Sequence, residues 1–212
     1  MARPVLYVLA GVNGAGKSSI GGHLLTQAGL AWFNPDTFAR ELIVASGGDQ
    51  DDANAAAWHE GFRRLDRAIK EGRSYAFETT LGGNSIPARL QAAARTHDVI
   101  VWFCGLASPE QHLARVRARV AVGGHDIPEA KVRERCTTAL TNLIALMPHL
   151  AHLRVYDNSV DVPTGAAIPD PQLVLEMADG RLLWPVRPAD LRRTPEWAKP
   201  LLEAALTTAG DS

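Results

Sequence analysis

A glycine-rich segment near the start of the chain has the residue types and spacing to bind phosphate. It reads Gly11-Val12-Asn13-Gly14-Ala15-Gly16-Lys17-Ser18, which is the pattern G-x-x-x-x-G-K-S. The apolar run Val5–Ala10 before it predicts a buried strand, and residues 19–28 after it predict a helix. Strand, glycine loop and helix in this order form a P-loop, in which backbone N–H groups and a helix N-terminus surround an anion. The alternative, a glycine-rich turn with a chance lysine, does not account for both flanking elements.

The P-loop predicts a bound nucleoside triphosphate, and the sequence does not choose between ATP and GTP. Lys17 would reach the β- and γ-phosphates, and the Ser18 hydroxyl would bind Mg²⁺. Asn158, after the last core strand, is a candidate contact to the base, although a strand-ending turn explains it equally well. The predicted nucleotide contacts are therefore Gly11, Asn13, Gly14, Ala15, Gly16, Lys17, Ser18, Ser19 and Asn158.

Two acidic residues are predicted to lie beside this loop. Asp36 follows the short apolar run Leu30–Phe33 and begins a helix, so it is either a general base or a plain helix N-cap. Glu78 ends the apolar strand Ser74–Thr80, where it would bind Mg²⁺ through water or hold the hydroxyls of an acceptor. Because parallel strands place ligands at their carboxyl ends, both acids belong to one site. An acid beside bound phosphates is what phosphoryl transfer to a hydroxyl requires.

A stretch rich in basic residues has the pattern of a lid. Two predicted helices flank Gly123-Gly124, and a glycine hinge between helices allows closure. Arg119 and Arg135 are the favoured catalytic residues, because a lid arginine would neutralise charge on the transferred phosphoryl group. His125 would contact the substrate or hold the turn. The remaining basic residues are interpreted as solvated helix faces: Arg115, Arg117, Lys131 and Arg133.

The elements that must position these residues alternate between strand and helix, which predicts a three-layer α/β sandwich with a mostly parallel sheet. We predict one domain over residues 1–212, with a helical lid region over 108–147 and a hairpin and helix appended over 160–212. Asp179-Gly180 between two apolar runs is the hairpin signal. Trp58 and Phe62 recur at helical spacing and are interpreted as core. The predicted strands are 5–10, 30–33, 74–80, 99–104, 153–156, 173–178 and 181–186, and the predicted helices are 19–28, 37–45, 51–71 capped by Asp51 or Asp52, 87–94, 109–122, 128–146 and 195–206.

Composition limits the classes of partner. The chain has 212 residues, with 46% hydrophobic and 21% charged residues, which is ordinary for a globular protein. A formal net charge of −1 gives no basic field and argues against nucleic acid. Cys104 and Cys136 have no metal or disulfide spacing and are predicted to be buried free thiols. With no long apolar run or signal peptide, we expect a soluble cytoplasmic protein that is monomeric or weakly oligomeric.

Taken in order, these motifs resemble the zeta toxin family of P-loop kinases. The resemblance spans roughly residues 5–159, and the glycine-glycine-histidine lid resembles a compact subgroup. The motifs that carry it are Gly11–Ser18, Asn34-Pro35-Asp36, Phe77-Glu78-Thr79-Thr80-Leu81, Gly123-Gly124-His125-Asp126-Ile127-Pro128 and Tyr156-Asp157-Asn158-Ser159.

The resemblance implies an ATP-dependent kinase that phosphorylates the 3′-hydroxyl of the sugar in UDP-N-acetylglucosamine, with an antitoxin protein as a candidate partner. By the same resemblance, Asp36 matches the family's base, and Glu78 with Thr80 matches its sugar-binding strand end. Arg119 matches the first lid arginine. His125 stands where the second would be, which leaves Arg135 or Arg133 for that role.

Two other functions fit the P-loop. A nucleotide-dependent regulatory NTPase would need no acceptor, but no apolar strand ends in the Asp-Glu pair of an ATPase. A polynucleotide kinase would use the arginine lid locally, although the near-neutral charge argues against it.

Overall fold

The computed structural model describes residues 2–18, 21, 31–160 and 169–210. Its strands form one six-stranded sheet, and the first four run parallel while the last two are antiparallel. Along the sheet, the strand order is β2-β1-β3-β4-β5-β6. The strands are β1 (Val5–Ala10), β2 (Tyr75–Thr79), β3 (Asp98–Gly105), β4 (His152–Asp157), β5 (Gln172–Ala178) and β6 (Arg181–Trp184).

Both faces of the sheet are covered, as the continuous apolar runs predict. Leu6 and Val8 of β1 point into a large hydrophobic cluster, whereas Leu9 points into a second cluster with Cys104 and Ala15. The mostly parallel α/β sheet confirms the predicted fold class. The helices that accompany it are α1 (Pro35–Ser46), α2 (Gln50–Lys70), α3 (Ser85–Ala93), α4 (Pro109–Ala121), α5 (Glu129–Leu146), α6 (Pro188–Leu191) and α7 (Lys199–Gly210).

Helix starts follow the capping residues in the sequence, with one correction. The Ser108 hydroxyl accepts the N–H of Gln111 and begins α4, as predicted. The predicted caps of α2, Asp51 and Asp52, are wrong, because the Asp49 carboxylate accepts both of their N–H groups at 2.8 and 2.9 Å. These hydrogen bonds stabilise the ionised form and lower the pKa of Asp49.

The predicted second strand, 30–33, is reduced in the described residues to one bridge between Phe33 and Phe77. The Phe33 N–H donates to the carbonyl of Ala76, and its own carbonyl accepts from Glu78, both at 2.9 Å. Pairing stops there because Asn34 caps α1 and the following proline has no N–H to donate. Of the predicted helix over 19–28, only Gly21 is described, and it is helical.

The C-terminal part of the chain completes the sheet rather than standing apart from it. Asp179 and Gly180 both have positive φ, 47° and 75°, which is the type I′ geometry predicted for the hairpin between β5 and β6. The predicted helix over 195–206 divides into a 3₁₀ turn, Glu196–Ala198, and α7. The short helix α6 was not predicted.

Two predictions of burial need correction. Trp58 is not a core residue, since half of its surface is exposed, whereas Leu65 on the same helix is fully buried. Cys136 is the second correction, since it is half-buried rather than buried, whereas Cys104 is buried as predicted. Both cysteines are free thiols. Burial raises the pKa of the Cys104 thiol to about 12.

None of the described helices is long and apolar enough to span a bilayer.

Gly105→Ala should reduce the free energy of unfolding by ~1–3 kcal/mol, because a methyl group there overpacks a filled site. A Cβ on Gly105 would lie 2.2 Å from Cη2 of Trp197, which packs on the end of β3. Urea unfolding measures the loss. Gly83→Ala is the control, since its Cβ would meet nothing within 4 Å; equal stability of the two variants would show that Trp197 does not pack as described.

Candidate active site

A cleft of about 680 Å³ lies beside the P-loop, at the carboxyl ends of β1 and β2. Its floor includes Phe33 and Phe77, and α2 and the start of α5 supply its walls. Polar and charged side chains from separate parts of the chain meet there. Those that matter for chemistry are Asn13, Lys17, Asp36, Glu78, Thr80, His125 and Arg135.

The glycines of the loop are required by close approach to neighbouring backbone. Gly11 has φ +139°, and a Cβ there would lie 2.2 Å from the carbonyl oxygen of Cys104. Gly14 has φ +84°, and its Cβ would lie 2.7 Å from the carbonyl oxygen of His112. Side chains at these positions would collide with β3 and α4, so the backbone itself forms the surface of the loop.

Lys17 and Glu78 form a buried ion pair at the base of the cleft. The parallel register places Glu78 opposite Leu9, next to the loop that follows β1. Lys17 Nζ lies 3.4 Å from Glu78 Oε1, and the two residues are only 6% and 8% exposed. Lys17 also donates to the carbonyl of Val12 at 3.4 Å. The pair joins the P-loop to β2. Neither charge is tolerated in the interior without its partner, so the two elements are held together there.

Asn34 connects this pair to α1. Its Nδ2 donates to Glu78 Oε2 at 3.1 Å and to Ser18 Oγ at 3.2 Å, while its Oδ1 accepts the N–H of Thr37 and caps the helix. Asn34 therefore fills the N-cap role that was the alternative reading of Asp36. The Asp36 carboxylate, 41% exposed, lines the cleft instead.

The residues around Ser18 fit a magnesium ion. Ser18 Oγ donates to Glu78 Oε2 at 3.0 Å. A hydroxyl and a carboxylate are the kinds of oxygen ligand that Mg²⁺ prefers, and here the two lie side by side at the end of the P-loop. Phosphates and waters commonly supply the other ligands of such a site. Among the described residues, no group of three acidic, histidine or cysteine side chains forms a metal site on its own.

The two favoured lid arginines take different places. Arg135 on α5 donates to Asn13 Oδ1 at 2.7 Å, so its guanidinium lies on the P-loop. Burial lowers the pKa of Arg135, and the negative charge of Asp36 opposes that effect. Arg119 on α4 lies 3.7 Å from the Asp36 carboxylate and donates to the carbonyl of His125 at 3.4 Å. The structure therefore places Arg135 at the loop predicted to bind the nucleotide and Arg119 beside Asp36, the predicted base.

The other lid arginines with described partners pair away from the cleft, as their interpretation as solvated faces predicts. Arg133 pairs with Glu110 and Glu129, at 2.7 and 2.8 Å, and Arg117 lies 3.3 Å from Glu129. Of the two candidates for the second lid arginine, Arg135 reaches the P-loop and Arg133 does not.

The remaining predicted residues are placed as follows. Thr80 and His125 line the cleft, and the Thr80 hydroxyl accepts the N–H of Gly82 at 3.4 Å. Asn158 Nδ2 donates to the carbonyl of Ala15 at 2.9 Å, so its amide contacts the P-loop backbone. Ser19 lies outside the described residues.

Trp58 is a cleft residue that the sequence reasoning assigned to the core. Its ring packs at 4.5 Å on Phe62, whose ring also lies 3.9 Å from the Arg89 guanidinium. Arg89 is held by Asp66 at 2.7 Å. The indole is therefore supported from behind while half of it remains exposed at the cleft. Helical spacing alone does not distinguish such a residue from a core residue, because both lie on the inward side of α2.

His112 was also missed, and it contacts the P-loop directly. It is 4% exposed, and its Nδ1 lies 2.8 Å from the carbonyl oxygen of Asn13. Since a carbonyl only accepts, Nδ1 carries the hydrogen. Burial lowers the pKa of His112 to about 4, so the ring is neutral at ordinary pH. Its position beside apolar residues in α4 was the only sequence signal of its burial.

A second groove, of about 1110 Å³, lies at the opposite end of the sheet. Arg3 there donates to Asp98 at 2.7 Å and to the carbonyls of Ala94 and His97 at 2.7 and 2.9 Å. Its guanidinium thereby binds the backbone that follows α3. This groove is farther from the P-loop and lacks its combination of acid, lysine and arginine.

Comparison with known proteins places these features in a family. Residues 6–138 match the model of the AAA_33 family, described as an AAA domain. The chain is also 30% identical over 151 residues to an uncharacterized protein of Haemophilus influenzae, an alignment that covers 64% of this chain and 99% of that protein.

Solved structures share the fold at low sequence identity. The complex AvrRxo1-ORF1:-ORF2 with ATP aligns over 99% of this chain and 75% of its own, with a TM-score of 0.64 and 17% identity. The PezAT chromosomal toxin–antitoxin system of Streptococcus pneumoniae aligns over 100% of this chain and 88% of its own, with a TM-score of 0.58 and 15% identity. These similarities show a common fold.

The free energy of unfolding should depend on pH through His112. Its pKa is about 4 in the folded protein and about 6.5 when unfolded, so the unfolded chain takes up the proton first and stability falls as pH drops below 6.5. Between pH 8 and pH 5 wild type should lose ~2 kcal/mol more than His112→Asn. Urea unfolding at both pH values measures this, and parallel losses in the two proteins would contradict it.

Proposed function

Because the chain belongs to the AAA_33 family of AAA domains, we propose that it is a kinase that transfers the γ-phosphate of a nucleoside triphosphate to a hydroxyl group of a small molecule. The observation that carries the proposal is that Asp36 lines the same cleft as the P-loop lysine, Lys17. An NTPase without an acceptor has no need of a second acid and a cleft of this size beside the phosphates.

The P-loop side of the cleft binds the donor. In this proposal, the backbone N–H groups between Gly11 and Ser18 surround the phosphates and Lys17 neutralises their charge. Ser18 and Glu78 would hold Mg²⁺, which would neutralise negative charge on the phosphates. The hydrogen bonds from Asn34 support this assignment, because they orient the carboxylate toward Ser18.

Transfer requires one proton to move and one phosphorus–oxygen bond to be exchanged. Asp36 accepts the proton of the acceptor hydroxyl, and that oxygen forms a bond to the γ-phosphorus. The bond from the γ-phosphorus to the β–γ bridging oxygen breaks, and the nucleoside diphosphate leaves. Arg135, held at Asn13, stabilises charge on the transferred group, while Arg119 holds the Asp36 carboxylate in place.

UDP-N-acetylglucosamine is the leading acceptor to test, on the resemblance of the motifs to zeta toxins. Thr80 and His125 line the acceptor side of the cleft and would bind its hydroxyls, and Trp58 would pack against one of its rings. If its carboxylate does not hold Mg²⁺, Glu78 would bind the acceptor. A protein antitoxin is the proposed partner, since PezAT is a toxin–antitoxin system with a similar fold.

Asp36→Ala should lower the turnover of phosphoryl transfer by ~10²–10⁴-fold and leave the Kd for ATP unchanged, because a general base acts only on the acceptor. Turnover is measured by mass spectrometry of products formed from ATP and a panel of nucleotide sugars. Asp51→Ala is the matched control, since it removes another acid from the cleft wall.

Retained turnover in Asp36→Ala would remove that residue from the role of base. If wild type hydrolyses ATP at one rate with and without every acceptor in the panel, a regulatory NTPase is favoured over a kinase. Phosphorylated oligonucleotide ends in the same assay would instead favour a polynucleotide kinase.

Trp58→Ala should raise the KM of the acceptor by ~10-fold, the value of a lost ring contact, with little change in the KM for ATP. Trp58→Phe should recover most of the affinity because it keeps an aromatic face on Phe62. Steady-state kinetics with varied acceptor measure both constants. A KM for acceptor that stays at the wild-type value in Trp58→Ala would exclude the indole from the acceptor site.

A further inference from the structure

His112 joins α4 to the P-loop through two contacts of different kinds. Its imidazole Nδ1–H donates to the carbonyl oxygen of Asn13 at 2.8 Å. Its own carbonyl oxygen lies against Gly14, close enough that only glycine fits there. The side chain and backbone of one residue therefore fix two consecutive residues of the loop.

The hydrogen bond to the Asn13 carbonyl determines the direction of the next N–H group. The peptide between Asn13 and Gly14 is planar and trans, so its C=O and N–H point in opposite directions. When the carbonyl points toward His112 in α4, the Gly14 N–H points away from α4. In a P-loop, N–H groups that face the interior of the loop are the donors to phosphate oxygens.

Asn13 is also held by the second helix of the lid region, α5. Arg135 of α5 donates to the side-chain oxygen of Asn13, whereas His112 of α4 donates to its main-chain oxygen. Asn13 is 7% exposed, so neither hydrogen bond competes strongly with water. The Asn13 peptide can turn only if the contact with His112 breaks.

The imidazole is suited to this role because it remains neutral. Burial disfavours its charged form, and the nearby charges of Lys17 and Arg115 act in the same direction. A neutral ring that donates from Nδ1 holds the carbonyl without adding a second buried cation near Lys17.

We propose that His112 is a positioning residue for nucleotide binding, and that its hydrogen bond to the Asn13 carbonyl turns the Gly14 N–H toward the phosphates of the nucleotide. This inference rests on the proposed function only in its assignment of the P-loop to a nucleoside triphosphate. It adds a residue outside the G-x-x-x-x-G-K-S motif, on another element, to the groups that determine nucleotide affinity.

His112→Leu removes the donor and keeps a buried side chain. The Gly14 N–H would then no longer be held toward the charged phosphate, so the Kd for ATP should rise by ~10-fold, as expected for the loss of that hydrogen bond. In His112→Asn, Nδ2–H stands at the position of the imidazole Nδ1–H, and the Kd should stay within about threefold of wild type. Calorimetric titration of the full-length protein with ATP measures each Kd.

Val116→Ala is the matched control, because Val116 is also buried in α4, at 2% exposure, and belongs to the hydrophobic core. Its melting temperature should fall while its Kd for ATP stays at the wild-type value. Equal weakening of ATP binding in Val116→Ala and His112→Leu would overturn the proposal, since both would then act through the fold. Equal weakening in His112→Asn and His112→Leu would also overturn it, because the donor would not matter.

A second measurement does not depend on His112→Leu being folded. In ¹⁵N-labelled wild type, the Gly14 amide resonance should shift on addition of ATP, and an amide that does not respond contradicts the proposed direction of its N–H. Failure of the kinase proposal gives a different result. A wild type that binds ATP but phosphorylates no acceptor loses the kinase function alone, whereas one that does not bind ATP loses both.

Discussion

The buried ion pair between Lys17 and Glu78 is the interaction on which the rest of the site depends. It lies where the P-loop leaves β1 and where β2 ends, and both charges are almost completely removed from water. Loss of either partner would leave an unpaired charge in the interior, which is strongly destabilising. Ser18 and Asn34 complete the carboxylate's hydrogen bonds, so the pair also determines where α1 begins. Asp36 reaches the cleft because it follows that start directly.

The helices α4 and α5 constrain the P-loop from the side opposite β2. One contributes His112 and the other Arg135, and both donate to Asn13. In this arrangement, the region proposed as a lid is in direct contact with the loop proposed to bind phosphate. A movement of α5 would therefore carry Arg135 relative to Asn13, which gives the proposed lid a route to the donor side of the cleft.

Much of the fold could be predicted because its signals are local and consistent. The strand before the P-loop, the Ser108 cap and the positive φ values at Asp179-Gly180 each follow from a few neighbouring residues. The two errors have different causes. Asp49 takes the cap predicted for Asp51 or Asp52, because three acids within four residues offer the same hydrogen bonds to different N–H groups. Trp58 has the spacing of a core residue, but the face of α2 that carries Trp58 lies against the cleft at that position.

The sequence by itself determined the P-loop, the alternation of strands and helices and the residue types available for phosphoryl transfer, because these depend on periodicity and on spacing within short segments. Only the tertiary structure decided which of those residues meet. Arg135 and Asn13 are 122 positions apart, and His112 and Asn13 are 99 apart. Contacts at such separations arise from how α4 and α5 pack beside the sheet, and no spacing rule encodes them. The choice of Arg135 over Arg133 at the P-loop has the same origin, since both lie on α5 and only one faces Asn13.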